Sequence, residues 1–201
     1  MKYERLNICA FRCYEVLWMK RIMLLILGLF FYQNLSAQTS KSVKPQEPEQ
    51  IKWVNMEYAL KNASKNGRLI LLDFYTDWCG WCKVMDKKTY TDKAIIQYMN
   101  QKFYAVKFDA EGKDTVNYKG REYSFAPALR CNQFAYKILN GNMGYPTTVF
   151  MNESGDVLTP VPGYLDAPTL ESLLKYYGER KYEQGINYDD FRKNFQPSPR
   201  E

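Results

Sequence analysis

The 201-residue sequence predicts an α/β domain: a central mixed β-sheet with helices on both faces, ending in a helical extension. Three observations predict it. Short apolar or β-branched runs alternate with segments whose apolar residues recur every three or four positions, the pattern of βαβ units. Late in the chain two extended runs meet across the turn signal Ser154-Gly155-Asp156, so hairpin strands follow the βαβ part and the sheet is mixed. The length, with 46% hydrophobic residues, suits one core but not comfortably two.

The chain opens with a leader. Lys20-Arg21 precede an apolar run over 22–32, and Leu35-Ser36-Ala37-Gln38 then offers a small residue at a cleavage point, so 1–37 reads as a signal peptide. The run is short of the roughly 20 apolar residues of a spanning helix, which favours cleavage near Ala37 over an uncleaved anchor. Translation from Met19 would shorten the long positive region and leave 1–18 untranslated. Losing 1–37 removes five of 28 basic and two of 22 acidic residues, leaving about +3. With its basic residues scattered, the chain is not expected to bind nucleic acid.

Residues 38–50, with Pro45 and Pro48, read as a flexible linker. The globular domain is expected over 51–177, starting with a short strand at 51–54. A helix follows from Asn55, carrying Met56, Ala59, Leu60 and Ala63 on one face and stopped by Asn66-Gly67. Leu69–Tyr75 is the central strand. Lys83 to Lys88 is free of Gly and Pro and reads as helix; Thr91-Asp92 caps another bearing Ile95, Ile96, Tyr98 and Met99. Residues 103–108 form the next strand. Residues 111–124 are a polar insertion with a small hairpin at 116–123, either part of a substrate surface or a solvated elaboration. A helix is expected over 127–139, with Leu129, Phe134 and Ile138 inward. Pro146 sits at the mouth of the next strand, Val157–Pro162 returns from it, and a helix over 167–177 turns Leu170, Leu173 and Leu174 inward. In the extension 178–201, Tyr188, Phe191 and Phe195 recur at helical spacing, and Pro197-Ser198-Pro199 is expected to fray.

Chemistry concentrates at Trp78-Cys79-Gly80-Trp81-Cys82-Lys83. Two cysteines two residues apart, between a buried strand and a helix start, make a dithiol that can close into a disulfide. Unpaired N–H groups at the helix start favour a thiolate on Cys79. The chain has no histidine, which excludes His-based triads, HExxH zinc hydrolysis and Cys₂His₂ sites. Half of a zinc site remains conceivable but lacks a second ligand pair, since only Cys131 is left once Cys9 and Cys13 depart with the leader. No metal is expected, and Cys131 reads as a buried small hydrophobe.

Taken together, the run from Asp73 to Lys83, the acid Asp73 six residues before Cys79, Tyr145-Pro146-Thr147 and the hairpin with its terminal helix resemble the thioredoxin superfamily. Within it the chain is similar to exported thioredoxin-like proteins of Bacteroidetes type and, more distantly, to the C-terminal domain of DsbD. The resemblance implies a thioredoxin fold with an insertion before a cis-proline loop. It implies Cys79 as the attacking thiol, Cys82 as the less exposed resolving thiol, Asp73 as the base and Lys107 beside it. Thioredoxin's own attacking cysteine has a pKa of about 7, against about 8.5 for a free one.

The substrate would lie along Trp78, Gly80, Trp81, Tyr145, Pro146 and Thr147. The implied function is thiol–disulfide exchange, reducing disulfides of exported proteins in the periplasm as a soluble monomer. It would need no cofactor beyond the Cys79–Cys82 pair and would be recharged by a membrane or soluble electron donor. A non-catalytic peptide-binding or chaperone module, or electron delivery to cytochrome c assembly, remains open on the sequence.

Overall fold

The computed structural model describes residues 50–200. The leader at 1–37 and the linker up to residue 49 lie outside the described residues.

The elements are α1 (Met56–Asn66), β1 (Leu69–Tyr75), α2 (Gly80–Lys88), α3 (Lys93–Lys102), β2 (Phe103–Asp109), β3 (Val116–Tyr118), β4 (Arg121–Tyr123), β5 (Phe125–Ala126), β6 (Cys131–Asn132), α4 (Gln133–Ile138), β7 (Thr147–Met151), β8 (Val157–Pro162), α5 (Ala167–Gly178) and α6 (Tyr188–Asn194). Four of them form the sheet, in the order β2-β1-β7-β8. β1 runs parallel to β2 and antiparallel to β7, which pairs antiparallel with β8. The expected mixed sheet is present.

The local chemistry explains most boundaries. Asn55, Asp92 and Asp166 cap α1, α3 and α5 by accepting the backbone N–H three residues on. Gly67 ends α1 at φ 62°, a left-handed conformation that glycine adopts freely.

Side chains on β1 alternate between two cores, as period-2 geometry requires. Ile70, Leu72 and Phe74 pack with α1, β3, β4 and α4. Leu69 and Leu71 pack with Met85 of α2, with α3 and with Leu170, Leu173 and Leu174 of α5. Burying each such leucine contributes about 1.5–3 kcal/mol. Asp73 continues the second series, so alternation alone places a carboxyl on the face that α2 covers.

Four expectations need correction. Residues 51–54 make no named strand: Trp53 forms a lone parallel bridge to Ala105, and the Val54 N–H bonds the Ala105 carbonyl at 2.8 Å. The helix expected over 127–139 begins at Gln133, because Arg130 takes the left-handed region at φ 55° and β5 pairs with β6 across the intervening turn. Cys131 therefore lies in a two-residue strand, buried and free.

The insertion is not a solvated elaboration, because Val116, Tyr118 and Tyr123 of its hairpin are core residues, the two tyrosines meeting the Phe134 ring at 5.3 and 6.2 Å. Nor does the C-terminal stretch fray. Ser198 and Arg200 bond the buried Glu171 of α5, and Arg200 also reaches Asp92. Before them, α6 docks on α5 through Tyr188 and Phe191 against the Tyr176 ring.

Candidate active site at the Cys79–Cys82 disulfide

Cys79 and Cys82 are joined in a disulfide, with Cα atoms 5.3 Å apart. Cys79 is the N-cap of α2, and its sulfur accepts the Cys82 N–H at 3.0 Å. A thiolate at that sulfur would keep this donor and gain from the positive end of the helix. Both cysteines are nearly equally enclosed, 4% and 3% exposed, so exposure does not distinguish attacker from resolver in the oxidised state. Of the two, Cys79 is the one at the helix start, where a thiolate is favoured.

Cys82, Met85 and Asp86 stand three and four residues apart, on one face of α2. Beneath that face lies the acid. Asp73 is 1% exposed; its Oδ2 accepts the Lys107 ammonium at 2.9 Å, and Lys107 also bonds Asp86. Asp73 and Lys107 are direct register partners on β1 and β2. Burial pushes the Asp73 carboxyl above the usual carboxylate range, against the opposing pull of Lys107. Burial would lower Lys107, but Asp73 and Asp86 hold it above its ordinary value. The rings of Trp53, Tyr75 and Tyr90 surround the ammonium at 5.2, 5.0 and 5.3 Å.

Around the disulfide the surface is aromatic. Trp78 and Trp81 are 67% and 62% exposed. Trp78 meets the Tyr145 ring edge-on at 6.0 Å, and its indole N–H donates to Glu111 at 3.0 Å. Trp81 leans on Tyr164 at 5.4 Å. Tyr145 is half-buried, and its hydroxyl is pushed up to about 12, by burial first and then by Cys131, Glu111 and Asp109. A Cβ on Gly80 would touch nothing, so the surface between the two cysteines has room for a substrate chain there.

The Tyr145-Pro146 peptide is cis, and the Pro146 carbonyl accepts the Gly163 N–H at 2.8 Å. Thr147 does not offer its side chain to a substrate: it is buried, and its hydroxyl donates to the Gly144 carbonyl at 2.7 Å. It shapes the loop instead.

Asp86, Tyr90, Trp53, Glu111 and Tyr164 escaped the sequence reading. Helical spacing from Cys82 was a signal for Asp86; the others depend on tertiary placement. Among the described residues no group of three or more His, Cys, Asp or Glu side chains is arranged to hold a metal ion.

Residues 56–178 match the thioredoxin-like domain family. DsbD, the thiol:disulfide interchange protein of Actinobacillus pleuropneumoniae, is 29% identical over 109 residues, 53% of this chain and 16% of that protein. DsbD of Salmonella typhimurium is 25% identical over 165 residues, 78% of this chain and 26% of that protein. The chain thus spans a minor part of the length of these relatives. Among solved structures, a thioredoxin from Thermus thermophilus superposes with a TM-score of 0.52 at 16% identity, covering 68% of this chain and 94% of that one. A DsbH oxidoreductase superposes at 0.50 with 18% identity, covering 74% and 98%. At such identities the likeness shows the fold, which is that of thioredoxin. With the match running from α1 through the disulfide to the last residue of α5, the chain belongs to the thioredoxin-like domain family.

Proposed function

We propose that the protein is a thiol–disulfide oxidoreductase that reduces disulfides of exported proteins. One observation carries the reading: the Cys79 sulfur sits at the start of α2, while the same helix's inner face is tied through Lys107 to a buried carboxyl.

In the reduced enzyme the Cys79 thiolate attacks one sulfur of a substrate disulfide. The substrate S–S bond breaks, one substrate thiolate leaves and takes a proton from water, and a mixed disulfide forms on Cys79. Cys82 then gives its proton to the Asp73 carboxylate and attacks the Cys79 sulfur. The second substrate thiolate leaves, and the enzyme ends in the disulfide state described here. Two electrons have passed from the dithiol to the substrate, and a membrane or soluble donor must return them with two protons. No bound cofactor enters, because the pair itself carries the electrons. Trp78, Trp81 and Tyr145 present apolar surface to the substrate chain. The leader-like sequence at 1–37 supports a periplasmic location, and no helix among the described residues is long and apolar enough to cross a membrane.

The test is trapping with Cys82→Ser, which stalls the mixed disulfide, alongside reduction of a disulfide-bonded polypeptide. Disulfide-linked partners with Cys82→Ser, and loss of turnover in Cys79→Ser, are expected. Asp73→Asn should slow product release by about 10²-fold or more while sparing attack. Peptide binding that survives Cys79→Ser in a wild type with no turnover would replace this reading with a non-catalytic binding module.

A further inference from the structure

Three buried oxygens beneath α2 have no hydrogen-bond partner: Asp73 Oδ1, Tyr90 Oη and Thr148 Oγ1. They belong to one neighbourhood. Thr148 is the register partner of Asp73 on β7, on the opposite side of β1 from Lys107. Tyr90 follows α2, and its ring centroid lies 5.3 Å from the Lys107 ammonium that holds the other oxygen of Asp73.

Tyr90 has little freedom to turn away. Its N–H bonds the Met85 carbonyl at 3.0 Å, the hydroxyl of Thr89 before it bonds the Leu165 carbonyl at 2.7 Å, and the Trp53 ring meets it edge-on at 5.1 Å. Buried hydroxyls in folded proteins are nearly always paired. Here the three are neighbours: Asp73 and Thr148 are register partners, and both lie near enough to bear on the Tyr90 phenol.

We propose that Thr148 and Tyr90 form a hydroxyl relay onto Asp73, with Thr148 O–H donating to Tyr90 Oη and Tyr90 O–H donating to Asp73 Oδ1 when that carboxyl is ionised. Tyr90 is then a positioning residue that sets how tightly Asp73 holds a proton. The inference rests on the reading of Asp73 as acceptor of the Cys82 proton.

The charges around Asp73 fit the direction of donation. Lys107 faces it from β2, Asp86 from α2 and Tyr90 from the segment after α2. Burial and the neighbouring Asp73 hold the Tyr90 phenol well above its ordinary range, so Tyr90 keeps its own proton and acts as a donor. The ionised carboxyl thus has Lys107 on one oxygen and Tyr90 on the other. When Asp73 takes the Cys82 proton, its O–H can donate to Tyr90 Oη while the phenol proton turns to Thr148 Oγ1. Hydroxyls rotate, and no proton leaves Tyr90.

The experiment follows the Asp73 carboxyl by carbon-13 NMR titration of the reduced full-length protein, with the pH dependence of product release measured in parallel. Tyr90→Phe removes a donor to the ionised form, so the proton affinity of Asp73 should rise about three- to tenfold and its midpoint should move to higher pH. Thr148→Val should move it the same way by less. A midpoint that stays at the wild-type value in both variants overturns the inference, even where thermal stability falls, since a packing role alone would do that. If Tyr90→Phe fails to fold, an unmoved midpoint in Thr148→Val overturns it equally. If the carboxyl midpoint moves while the pH dependence of release does not, the relay stands and the proton role of Asp73 falls.

Discussion

Arg200→Ala tests whether the C-terminal stretch belongs to the cooperative fold. Glu171 is 2% exposed, yet it carries a carboxylate that accepts the Arg200 guanidinium at 2.7 Å and the Ser198 N–H at 3.1 Å. The same guanidinium donates at 2.8 Å to one oxygen of Asp92, whose other oxygen caps α3. One side chain therefore ties α5 to the start of α3. Removing one partner of a fully buried pair costs about 3–5 kcal/mol, whereas exposed pairs contribute about 0–1 kcal/mol. The Arg200 side chain is 25% exposed and Ser198 would still serve Glu171, so the loss should fall between, at about 1.5–3 kcal/mol. For a domain of this size each kcal/mol lowers Tm by about 2–4 °C, which gives a fall of about 3–12 °C in thermal unfolding followed by circular dichroism. A double-mutant cycle with Glu171→Gln should show coupling of at least about 1 kcal/mol. A loss below about 0.5 kcal/mol, or no coupling, refutes the reasoning.

Two further outcomes follow from the site. Asp73 holds its proton more tightly folded than unfolded, so its charge disfavours the folded state at high pH, and the penalty fades as pH falls toward the unfolded value of 3.8. Asp73→Asn loses the Lys107 pair at every pH but sheds the buried charge only at high pH, so its Tm relative to wild type should be more favourable at about pH 8 than near pH 4; an equal difference at both would contradict the buried-charge argument. Trp78→Ala should leave stability within about 0.5 kcal/mol, because the ring is mostly exposed, while raising the apparent KM for a disulfide-containing peptide several-fold. An unchanged KM would remove Trp78 from the substrate surface.

What the sequence made legible was whatever repeats with a fixed period or chemistry. β1 and the start of α3 at the Asp92 cap came out as read, because strand alternation, glycine stops and carboxylate caps are local properties. Cys79 and Cys82 were legible from spacing alone. The stretch over 127–139 was misread because apolar content does not reveal that Arg130 will adopt a left-handed turn. The insertion was misread because Val116, Tyr118 and Tyr123 alternate over too few residues to announce a buried face, and their burial depends on Phe134, distant in sequence. Most of the Lys107 surroundings were invisible for the same reason: Trp53, Tyr75 and the nearby pair Asp86 and Tyr90 come from three separate segments and meet only in the folded sheet.

The direction of electron flow can be argued from charge. Stabilising the Cys79 thiolate stabilises the dithiol and makes the pair more oxidising; a gap of about 150 mV separates thioredoxin, near −270 mV, from DsbA, near −120 mV. At about 30 mV per 1.4 kcal/mol, that gap corresponds to about 7 kcal/mol of thiolate stabilisation. The chain has no histidine to supply a cation beside Cys79, and the charge of Lys107 is already shared between Asp73 and Asp86. What the geometry supplies is the start of α2, and a helix terminus contributes at most about 2 kcal/mol, or about 40 mV. The Cys79–Cys82 couple should therefore lie nearer to −270 than to −120 mV when equilibrated against glutathione or dithiothreitol and measured by alkylation. A value near −120 mV would mean that some group other than the helix start holds the thiolate, and would turn the proposed direction from reduction to oxidation.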